Sequence, residues 1–374
     1  MNKSIALHKK LAGKLEIKSK APIESARELA LLYTPGVGAV SSLLGKNKKL
    51  AREYTIKKNS VAVISDGSAV LGLGNIGAEG AIPVLEGKCI IFKKFANVDA
   101  WPIALDTQDT ESIIATIKAI APVFGGINLE DISAPRCFEI ERRLMRELDI
   151  PVMHDDQHGT AIVVLAALIN ALKVVKKNIA TARIVVNGAG PAGTAVVYLL
   201  REAGVRDIVI LDSHGVLASS RKYTDAYKQE LAAHTNPRKI SGNLESVLRG
   251  ADVFIGVSRA GALDAALIRT MSQDPIIFAL ANPIPEIMPD EARAAGARII
   301  ATGRSDFPNQ INNALVFPGV FRGVFDAGKS TITMAMKKKA AIALASLVKK
   351  PDSAHIIPSI FDARVAKAIA RAMR

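Results

Sequence analysis

The chain has 374 residues, more than one ordinary hydrophobic core accommodates, so its length predicts two domains. Hydrophobic residues make up 49% and charged residues 22% of the chain, which predicts a folded protein and excludes a disordered one. The 49 basic side chains against 35 acidic ones give a net charge of +14, and residues 1–60 alone hold 13 basic side chains against 4 acidic ones. The lysines are scattered at helical spacing without interleaved aromatic residues, and no nucleic-acid-binding motif appears, so we expect attraction of a small anion, or a solvated basic face, and no nucleic-acid partner.

Membrane and export signals are also missing from the sequence pattern. No apolar run approaches the roughly 18 to 20 residues of a membrane span, and the first ten residues lack the apolar centre of a signal peptide. The two cysteines, Cys89 and Cys137, have no metal-ligand spacing. We therefore expect a cytoplasmic protein with no membrane contact.

Strands and helices are predicted to alternate along the first half of the chain. Residues 1–32 have a helical pattern, with Pro22 near a helix start, and the breaker-rich stretch that begins at Tyr33 predicts a loop. Further helices are predicted at 46–54, 110–121, 135–148 and 160–175, and strands at 60–65, 89–92, 101–105, 125–131 and 151–153. This alternation is typical of an α/β layered fold with parallel strands.

A new strand–helix–strand unit begins near residue 182. Strands are predicted at 183–187, 207–212, 251–258 and 275–281, and a helix is predicted to end at Ala203. An Ala-rich helical tail is predicted over most of 330–374. We therefore expect an N-terminal α/β domain over 1–157, a second, doubly wound α/β domain over 158–325, and a tail over 326–374 that packs back on one of them.

Three glycine-rich patterns are candidates for a nucleotide-binding loop. Gly188-x-Gly190-x-x-Gly193, with Ala192 inside it, follows a strand and opens a helix, and the next strand ends at Asp212, so this pattern predicts a dinucleotide site. An acid there accepts the ribose hydroxyls and repels a 2′-phosphate, which favours NAD⁺ over NADP⁺, although Arg206 or Lys222 could offset the repulsion. Gly72-x-Gly74-x-x-Gly77 precedes a segment with Gly80 and Pro83 that we expect not to form a helix, which favours a turn.

The third pattern, Gly323 to Ser330, fits the nucleoside-triphosphate loop motif, with Lys329 in the lysine position. Pro318 and Gly319 interrupt the strand that such a loop needs before it, so we interpret the match as coincidence.

Two adjacent acid pairs follow predicted strands, Glu130-Asp131 and Asp155-Asp156. Carboxylates at neighbouring strand ends suit Mg²⁺ or Mn²⁺, whereas helix capping or solvated acids are the alternatives. The spacing of His154 and His158 does not fit a zinc site, which favours a structural role for both. The roles of two further side chains stay open. Lys88 is either a surface charge or a buried base, and the role of Tyr33, which precedes Thr-Pro-Gly, is equally ambiguous.

Taken together and in order, these motifs closely resemble the short bacterial and archaeal malic enzymes over about residues 20–340. The motifs are Tyr33-Thr-Pro-Gly-Val37, the Ser65–Gly77 stretch, Glu86-Gly-Lys88, Asn128-Leu-Glu-Asp-Ile132, His154-Asp-Asp-Gln-His-Gly-Thr-Ala161, the Asn187–Gly193 stretch, Ala281-Asn-Pro283 and the Asn312–Val320 stretch. The resemblance implies oxidative decarboxylation of (S)-malate to pyruvate and CO₂, with NAD⁺ or NADP⁺ and with Mg²⁺ or Mn²⁺. Independently of the resemblance, the basic N-terminal helices and the hydrophobic tail make a homodimer or higher homo-oligomer the expected assembly.

The resemblance implies a role for each matching residue. Glu130, Asp131 and Asp156 match the metal ligands, Lys88 the general base, Tyr33 the general acid, and Asp155 an acid that assists the lysine. Asn282 and Asn313 match asparagines that hold the substrate carboxylates, with Asn312 beside them, and Gly188, Gly190, Ala192, Gly193, Asp212, Ser258 and Asn282 are expected to contact the cofactor. Residues 68–70, Ser-Ala-Val, depart from the pattern, because larger relatives have a carboxylate-binding arginine there.

Other functions remain open on sequence alone. The same site could support a malolactic-type reaction without net release of reduced cofactor. A non-catalytic NAD-binding protein is a further alternative, although the combination of Tyr33, Lys88 and the ligand acids disfavours it.

Overall fold

A computed structural model describes residues 2–374, so the predicted helical start at Met1 lies outside the described residues. Two parallel sheets with helices around them organise the chain, which confirms the predicted α/β class. Up to residue 154 the elements are α1 (Lys3–Leu11), α2 (Ala26–Leu32), α3 (Val37–Lys46), α4 (Ala51–Tyr54), β1 (Ser60–Ser65), α5 (Gly77–Ala96), β2 (Asp99–Ala104), α6 (Thr110–Ile120), β3 (Gly126–Leu129), α7 (Arg136–Glu147) and β4 (Val152–His154).

The second part begins with a long helix and carries the second sheet. Its elements are α8 (Asp155–Val174), β5 (Arg183–Asn187), α9 (Pro191–Glu202), β6 (Asp207–Asp212), β7 (Gly215–Val216), α10 (Ala226–Ala233), α11 (Leu244–Leu248), β8 (Val253–Gly256), α12 (Ala265–Arg269), β9 (Ile276–Ala279), α13 (Pro289–Ala294), β10 (Ile299–Thr302), α14 (Phe317–Asp326), α15 (Met334–Ser346) and α16 (Val365–Ala372). Short 3₁₀ helices lie at Lys48–Leu50, Ile56–Lys58, Ala121–Val123 and Asn313–Leu315.

The first sheet has the strand order β2-β1-β3-β4, and all its neighbouring pairs are parallel. Strand β1 is buried along its whole length, as expected from its continuous apolar run and from helices on both faces. Ile64 pairs with Leu129, and Leu129 pairs with His154, so β1, β3 and β4 end side by side. The residues that follow these three strands are therefore brought together at one edge.

The second sheet has the order β10-β9-β8-β5-β6-β7, parallel except for the short β7, which is antiparallel to β6. The predicted strands 183–187 and 207–212 match β5 and β6 in both bounds. Strand β10 was not predicted, because its apolar run of three residues, Ile299 to Ala301, is too short to stand out.

The predicted strand at 89–92 is wrong, as is the expectation that residues 78–88 cannot form a helix. Both segments belong to the 20-residue α5, which contains Gly80 and Pro83. Its buried residues recur every three or four positions: Ala78, Ala81, Leu85, Cys89, Phe92 and Ala96. Burial of this stripe offsets the local cost of one glycine and one proline, so tertiary packing decided the structure.

Helix α8 begins at Asp155, five residues before the predicted start at Thr160. The acid pair therefore occupies the first helical turn, where the helix dipole favours negative charge. By length and composition α8 could cross a membrane, which the sequence prediction overlooked, but 72% of its apolar window is buried inside the fold. Helices α9 and α15 cover it, which is the usual environment of a core helix.

Both chain ends are less regular than predicted. Residues 12–25 are not helical and separate α1 from α2, and the predicted tail helix is divided into α15 and α16 by the irregular segment 347–364. Residue Gly323 lies inside α14, where a side chain would meet the backbone of α16. The nucleoside-triphosphate loop match is therefore a coincidence, as the sequence analysis concluded.

Candidate active site

Four carboxylates meet at the carboxyl edge of the first sheet. Glu130 and Asp131 follow β3, and Asp155 and Asp156 open α8 directly after β4. One ligand oxygen each of Glu130, Asp131 and Asp156 lies within 4.8 Å of the others. The backbone N–H of Asp131 also donates to Asp156 Oδ2 at 2.8 Å, which fixes the two turns against each other.

The electrostatics of this cluster favour a cation. Burial, followed by the charge of Asp156, raises the pKa of Glu130 well above its ordinary value and raises that of Asp131 to about 7. The buried Oδ2 of Asp131 accepts no hydrogen bond among the described residues. Clustered, desolvated oxygens with an unsatisfied acceptor fit a hard divalent ion such as Mg²⁺ or Mn²⁺.

Lys88 projects from α5 into the same cluster. Its Nζ lies 3.1 Å from Glu130 Oε1, donates to Asp155 Oδ2, and stands 4.5 Å from the centre of the Phe317 ring. The lysine side chain is only 11% exposed, so the reading as a solvated surface charge is wrong. Burial alone lowers its pKa, but the carboxylates of Asp155 and Glu130 outweigh burial, and the net pKa of Lys88 is raised. This direction is opposite to the one that a neutral general base requires.

The position of the Asp155 side chain is fixed by close packing inside the fold. It is completely buried, and its Oδ1 fills the space that a side chain on Gly159 would need. Burial raises its pKa, against the opposing effect of the Lys88 charge. Glycine at position 159 is thus required by the close approach of Asp155 within the same helix.

Behind the acid pair lies a buried residue that sequence reasoning missed, Glu141 of α7. Its Oε1 accepts the backbone N–H of His154 at 2.7 Å, and its Oε2 lies 3.0 Å from His158 Nε2. The His158 ring therefore has a structural partner, whereas Glu141 contacts His154 only through its backbone. The buried His154 ring has no hydrogen bond among the described residues, and its Nδ1 lies 3.6 Å from Asp156 Oδ2. The available signal was the position of Glu141 among the buried residues of α7, between Ile140 and Leu144.

The predicted substrate asparagines lie in two different places. Asn313 packs beside Gly159 and so lies next to Asp155, whereas the Asn312 side chain accepts the backbone N–H of Ala314 and caps the short helix there. Asn282 is exposed before the cis Asn282–Pro283 bond, and its backbone closely approaches Gly72. The glycine-rich 66–77 loop of the first sheet thus contacts a loop of the second sheet.

Tyr33 is the one predicted catalytic residue that the structure does not bring to the cluster. It follows α2, is 65% exposed, and its hydroxyl has no hydrogen bond within the described chain.

The dinucleotide motif lies at the switch point of the second sheet, between β5 and α9. Gly188 has φ +125° and a side chain there would lie 2.6 Å from the Val257 carbonyl oxygen, so only glycine fits. A side chain on Gly193 would collide with the Gly188 carbonyl. Gly190 caps α9, and Ala192 lies in its first turn, so backbone N–H groups are available for a pyrophosphate.

A cleft of about 650 Å³ adjoins this turn and is lined by Gly188, Gly190, Asp212, Lys228 and Ser258, among others. Ser258 accepts from Asn187 Nδ2 at 3.1 Å and is anchored by its own backbone N–H to Glu286 Oε1. Asp212 is paired with Arg221 and Lys228, and not with the Arg206 or Lys222 considered from the sequence.

Comparison with known proteins decides the family. The model of the malic enzyme N-terminal domain matches residues 12–145, and that of the malic enzyme NAD-binding domain matches residues 157–374. The chain belongs to the malic enzyme family. An NAD-dependent malic enzyme from Geobacillus stearothermophilus is 53% identical over 97% of this chain and 76% of that protein.

Two further relatives of this malic enzyme cover nearly the whole chain. A bifunctional malic/malolactic enzyme from Bacillus subtilis is 52% identical over 99% of this chain and 91% of its own length. The crystal structure of an NAD-dependent malic enzyme from Thermotoga maritima superposes with a TM-score of 0.97 at 47% identity, covering 100% of this chain and 99% of the other. The family predicted from the sequence motifs is thereby confirmed.

Proposed function

We infer that this protein catalyses the oxidative decarboxylation of (S)-malate to pyruvate and CO₂ with reduction of NAD⁺ or NADP⁺. Family membership over both domains supports the reaction, and one observation carries it: the Lys88 ammonium group lies against a buried carboxylate cluster that needs a cation. This combination suits proton removal from a 2-hydroxy acid next to a Lewis acid.

Glu130, Asp131 and Asp156 are the proposed metal ligands. When bound, Mg²⁺ or Mn²⁺ supplies Lewis-acid stabilisation of the enolate that forms as CO₂ leaves, and it offsets the negative field of the carboxylates. The negative field of the carboxylates raises the pKa of Lys88. A bound dication would offset part of this field and so favour the neutral amine that a general base requires.

Lys88 is the proposed general base, and Asp155 the residue that orients it. Neutral Lys88 takes the proton of the malate 2-hydroxyl while hydride leaves C2 for C4 of the nicotinamide. Cleavage of the bond to the departing carboxylate then gives CO₂ and enolpyruvate. Asp155 Oδ2 accepts a hydrogen bond from Lys88 Nζ, and the centre of the Phe317 ring lies 4.5 Å from the same nitrogen, so both side chains restrict where the amine can lie.

Tyr33 is the proposed general acid, which protonates C3 of enolpyruvate and recovers its proton from Lys88. In the single chain Tyr33 is exposed and separate from the cluster, so this role requires the N-terminal segment of the same or a second copy to close over the site.

Substrate and cofactor are proposed to meet where the two sheets face each other. Asn282 and Asn313 hold the malate carboxylates, with Asn312 fixing the turn that presents Asn313. Gly188, Gly190, Ala192 and Gly193 receive the pyrophosphate, Asp212 lies at the adenosine ribose, and Ser258 and Asn282 line the path toward the nicotinamide. The proposed domains are residues 1–157, which form the catalytic domain, and residues 158–325, which form the dinucleotide-binding domain. Residues 326–374 form the tail.

A homodimer is the proposed minimal assembly. Helices α1, α2 and α3 bury no residue in the single chain, although isolated helices of this length are marginal in water. The N-terminal segment exposes a series of large apolar side chains: Ile5, Leu7, Leu11, Ile17, Ile23, Leu29, Leu31 and Leu32. Such a surface is typical of an interface between subunits. We place the protein in the cytoplasm, without nucleic-acid or membrane partners, and both its cysteines are buried and unpaired.

A malolactic reaction is the second candidate, because the Bacillus subtilis relative is described as bifunctional. Product analysis separates the two reactions. Malate with NAD⁺ or NADP⁺ and Mn²⁺ is expected to yield pyruvate and reduced cofactor in equal amounts. Lactate formed without accumulation of reduced cofactor would instead assign the malolactic reaction, and no turnover of malate with either cofactor would refute both.

A further inference from the structure

One buried carboxylate, that of Glu141 in α7, contacts the chain on both sides of the acid pair Asp155-Asp156. Glu141 Oε1 accepts the backbone N–H of His154, the last residue of β4, at 2.7 Å. Its Oε2 lies 3.0 Å from Nε2 of His158, near the start of α8. A single side chain therefore fixes the backbone just before the acid pair and the helix just after it.

The His154 N–H depends on this acceptor because β4 is an edge strand. Strand β3 pairs with β4 on one side only, so N–H groups on the other side of β4 have no strand partner. His154 is completely buried, and a buried N–H without an acceptor is destabilising. Glu141 supplies the acceptor at the point where the strand ends and the acid pair begins.

The charge of Glu141 defines the direction of both hydrogen bonds. Burial raises the pKa of Glu141, but His158, and after it the charge of the buried Lys337, lowers this pKa to about 2, so the group is a carboxylate at neutral pH. A carboxylate only accepts hydrogen bonds, so His158 donates through Nε2. The other buried residues of α7 are apolar: Cys137, Phe138, Ile140 and Leu144. Filling space in such a stripe does not require a charge, whereas two donors at the end of β4 do require an acceptor.

The acid pair links this contact to the reacting groups. Asp156 Oδ2 accepts the backbone N–H of Asp131 at 2.8 Å, and both residues belong to the proposed metal site. Asp155 Oδ2 accepts a hydrogen bond from Lys88 Nζ. A shift of the turn between β4 and α8 would therefore displace a metal ligand and the partner of the base together.

We propose that Glu141 is a positioning residue of the malic enzyme site, which holds Asp156 in place for the divalent cation and Asp155 in place for Lys88. The proposal rests on the proposed function of the carboxylate cluster. The competing explanation is purely structural, with Glu141 only fastening α7 to β4 and α8. A structural role lowers the stability of the fold and leaves the cation affinity of the folded protein unchanged, whereas a positioning role lowers that affinity.

Calorimetric titration of the full chain, freed of metal, with Mn²⁺ alone tests this difference. Glu141→Met has a similar volume, suits the apolar stripe of α7 and removes both acceptors, so the Kd for Mn²⁺ should rise at least about tenfold, or about 1.4 kcal/mol. Glu141→Gln keeps an oxygen for the His154 N–H and offers an N–H to the other tautomer of His158. Its Kd for Mn²⁺ should therefore stay within about threefold of the native value.

Turnover separates the two roles a second time. With malate and saturating Mn²⁺, kcat should fall in Glu141→Met, because Asp155 no longer orients Lys88, and the KM for the nicotinamide cofactor should stay native. Binding of 5′-ADP should also be retained in both Glu141 variants, since the dinucleotide cleft lies on the second sheet.

Asn170→Ala is the matched control, because Asn170 is a buried residue of the same helix α8 that lies away from the acid pair. Its side chain donates to the carbonyls of Ala345 and Ile356, both at 2.9 Å. Loss of these two buried hydrogen bonds should lower Tm and leave the Mn²⁺ affinity unchanged.

Native Mn²⁺ affinity in Glu141→Met, a Glu141→Gln variant as weak as Glu141→Met, or an equal loss in Asn170→Ala would overturn the proposal. If Glu141→Met does not fold, Glu141→Asp decides, because its carboxylate is one methylene too short to reach both donors. That variant should weaken Mn²⁺ at least about threefold, and native affinity would again overturn the proposal. If the native chain binds no Mn²⁺, the proposed metal site itself fails, whereas native binding with unaffected Glu141 variants refutes the positioning role alone.

Discussion

Two charged clusters of this protein, each at the carboxyl end of a parallel sheet, are built in opposite ways. At the first sheet, Glu130, Asp131, Asp155 and Asp156 face the single ammonium group of Lys88. At the second sheet, the single carboxylate of Asp212 faces Arg221 and Lys228. The first cluster therefore has an excess of negative charge and the second an excess of positive charge.

The balance of charge at each sheet edge determines whether that edge suits a cation or an anion. Burial, and after it the repulsion from Asp156, raises the pKa values of Glu130 and Asp131, and a dication would relieve that repulsion. The compensated Asp212 has a lowered pKa, and its partners offer donors to an anion. Similar strand ends are thus suited to a cation at one sheet and to an anion at the other, according to the balance of charge around them.

The largest effect is expected at the one cation of the first cluster. Lys88→Met removes the proposed base, so kcat should fall by about 10²- to 10⁴-fold with malate and either cofactor. Binding of 5′-ADP should be retained, since the dinucleotide cleft lies on the other sheet. Lys94→Met, at an exposed position of the same helix, is the control. Near-native turnover of the Lys88 variant would refute the assignment of the base.

Loss of one acid should break the cation site. Asp131→Asn keeps the side-chain shape but removes a charge and the unsatisfied oxygen, so Mn²⁺ affinity is expected to fall at least about tenfold. Calorimetry with Mn²⁺ measures the affinity directly, and the rise of Tm with Mn²⁺ should shrink in parallel. Asp106→Asn, an exposed acid after β2 of the same sheet, should change neither quantity. Unchanged Mn²⁺ affinity in the Asp131 variant would contradict the ligand assignment.

Loss of the opposing charge should sharpen the second cluster. Asp212→Asn leaves Arg221 and Lys228 without their carboxylate, so the ratio of kcat/KM for NADP⁺ to that for NAD⁺ should rise about tenfold. Steady-state kinetics with both cofactors measures the ratio. A ratio that stays constant or falls would mean that the Asp212 charge does not oppose the 2′-phosphate.

The smallest effect concerns Lys337, a buried cation of α15 that forms no ion pair within 4.0 Å in the described chain. Burial lowers its pKa to about 8, despite the opposing charge of Glu141. Between pH 8 and about 9 the unfolded lysine binds more protons than the folded one, so the free energy of unfolding should rise with pH there. Above about pH 9 the buried thiols of Cys89 and Cys137, whose pKa values are raised by burial, act in the opposite direction. Denaturant unfolding should show this slope in the native chain and lose it in Lys337→Met.

Lys339→Met, at an exposed position of the same helix, should retain the slope. A native chain without any rise between pH 8 and about 9, or a Lys337 variant that keeps the same rise, would show that the buried lysine does not cause it.

How far the sequence predicts this structure depends on whether the signal is local. Strands β1, β5 and β6 match their predicted bounds, because continuous apolar runs between breakers are local signals. The acids after β3 and β4 were also predicted to meet, since parallel strands end at a common edge. Helix α5 was missed because Gly80 and Pro83 received more weight than the buried stripe around them.

The partners of the site acids could not be predicted, because they come from distant parts of the chain. Arg221 and Lys228 reach Asp212 from an irregular loop and the helix after it, and no spacing rule identifies them. The direction of the Lys88 pKa depends on three carboxylates that only the fold brings together. For Tyr33 the sequence motif predicts a catalytic role, but the contact with the carboxylate cluster that this role needs is not made in the single chain.

The most direct test of the central claim is the metal dependence of malate oxidation. Protein freed of metal by a chelator is assayed with malate and NAD⁺ or NADP⁺, before and after addition of Mn²⁺. If the reaction depends on a bound cation, no reduced cofactor forms before Mn²⁺ is added. After the addition, pyruvate and reduced cofactor form again in equal amounts. An undiminished rate while the chelator remains in excess would contradict the proposal that the carboxylates at the ends of β3 and β4 work through a bound cation.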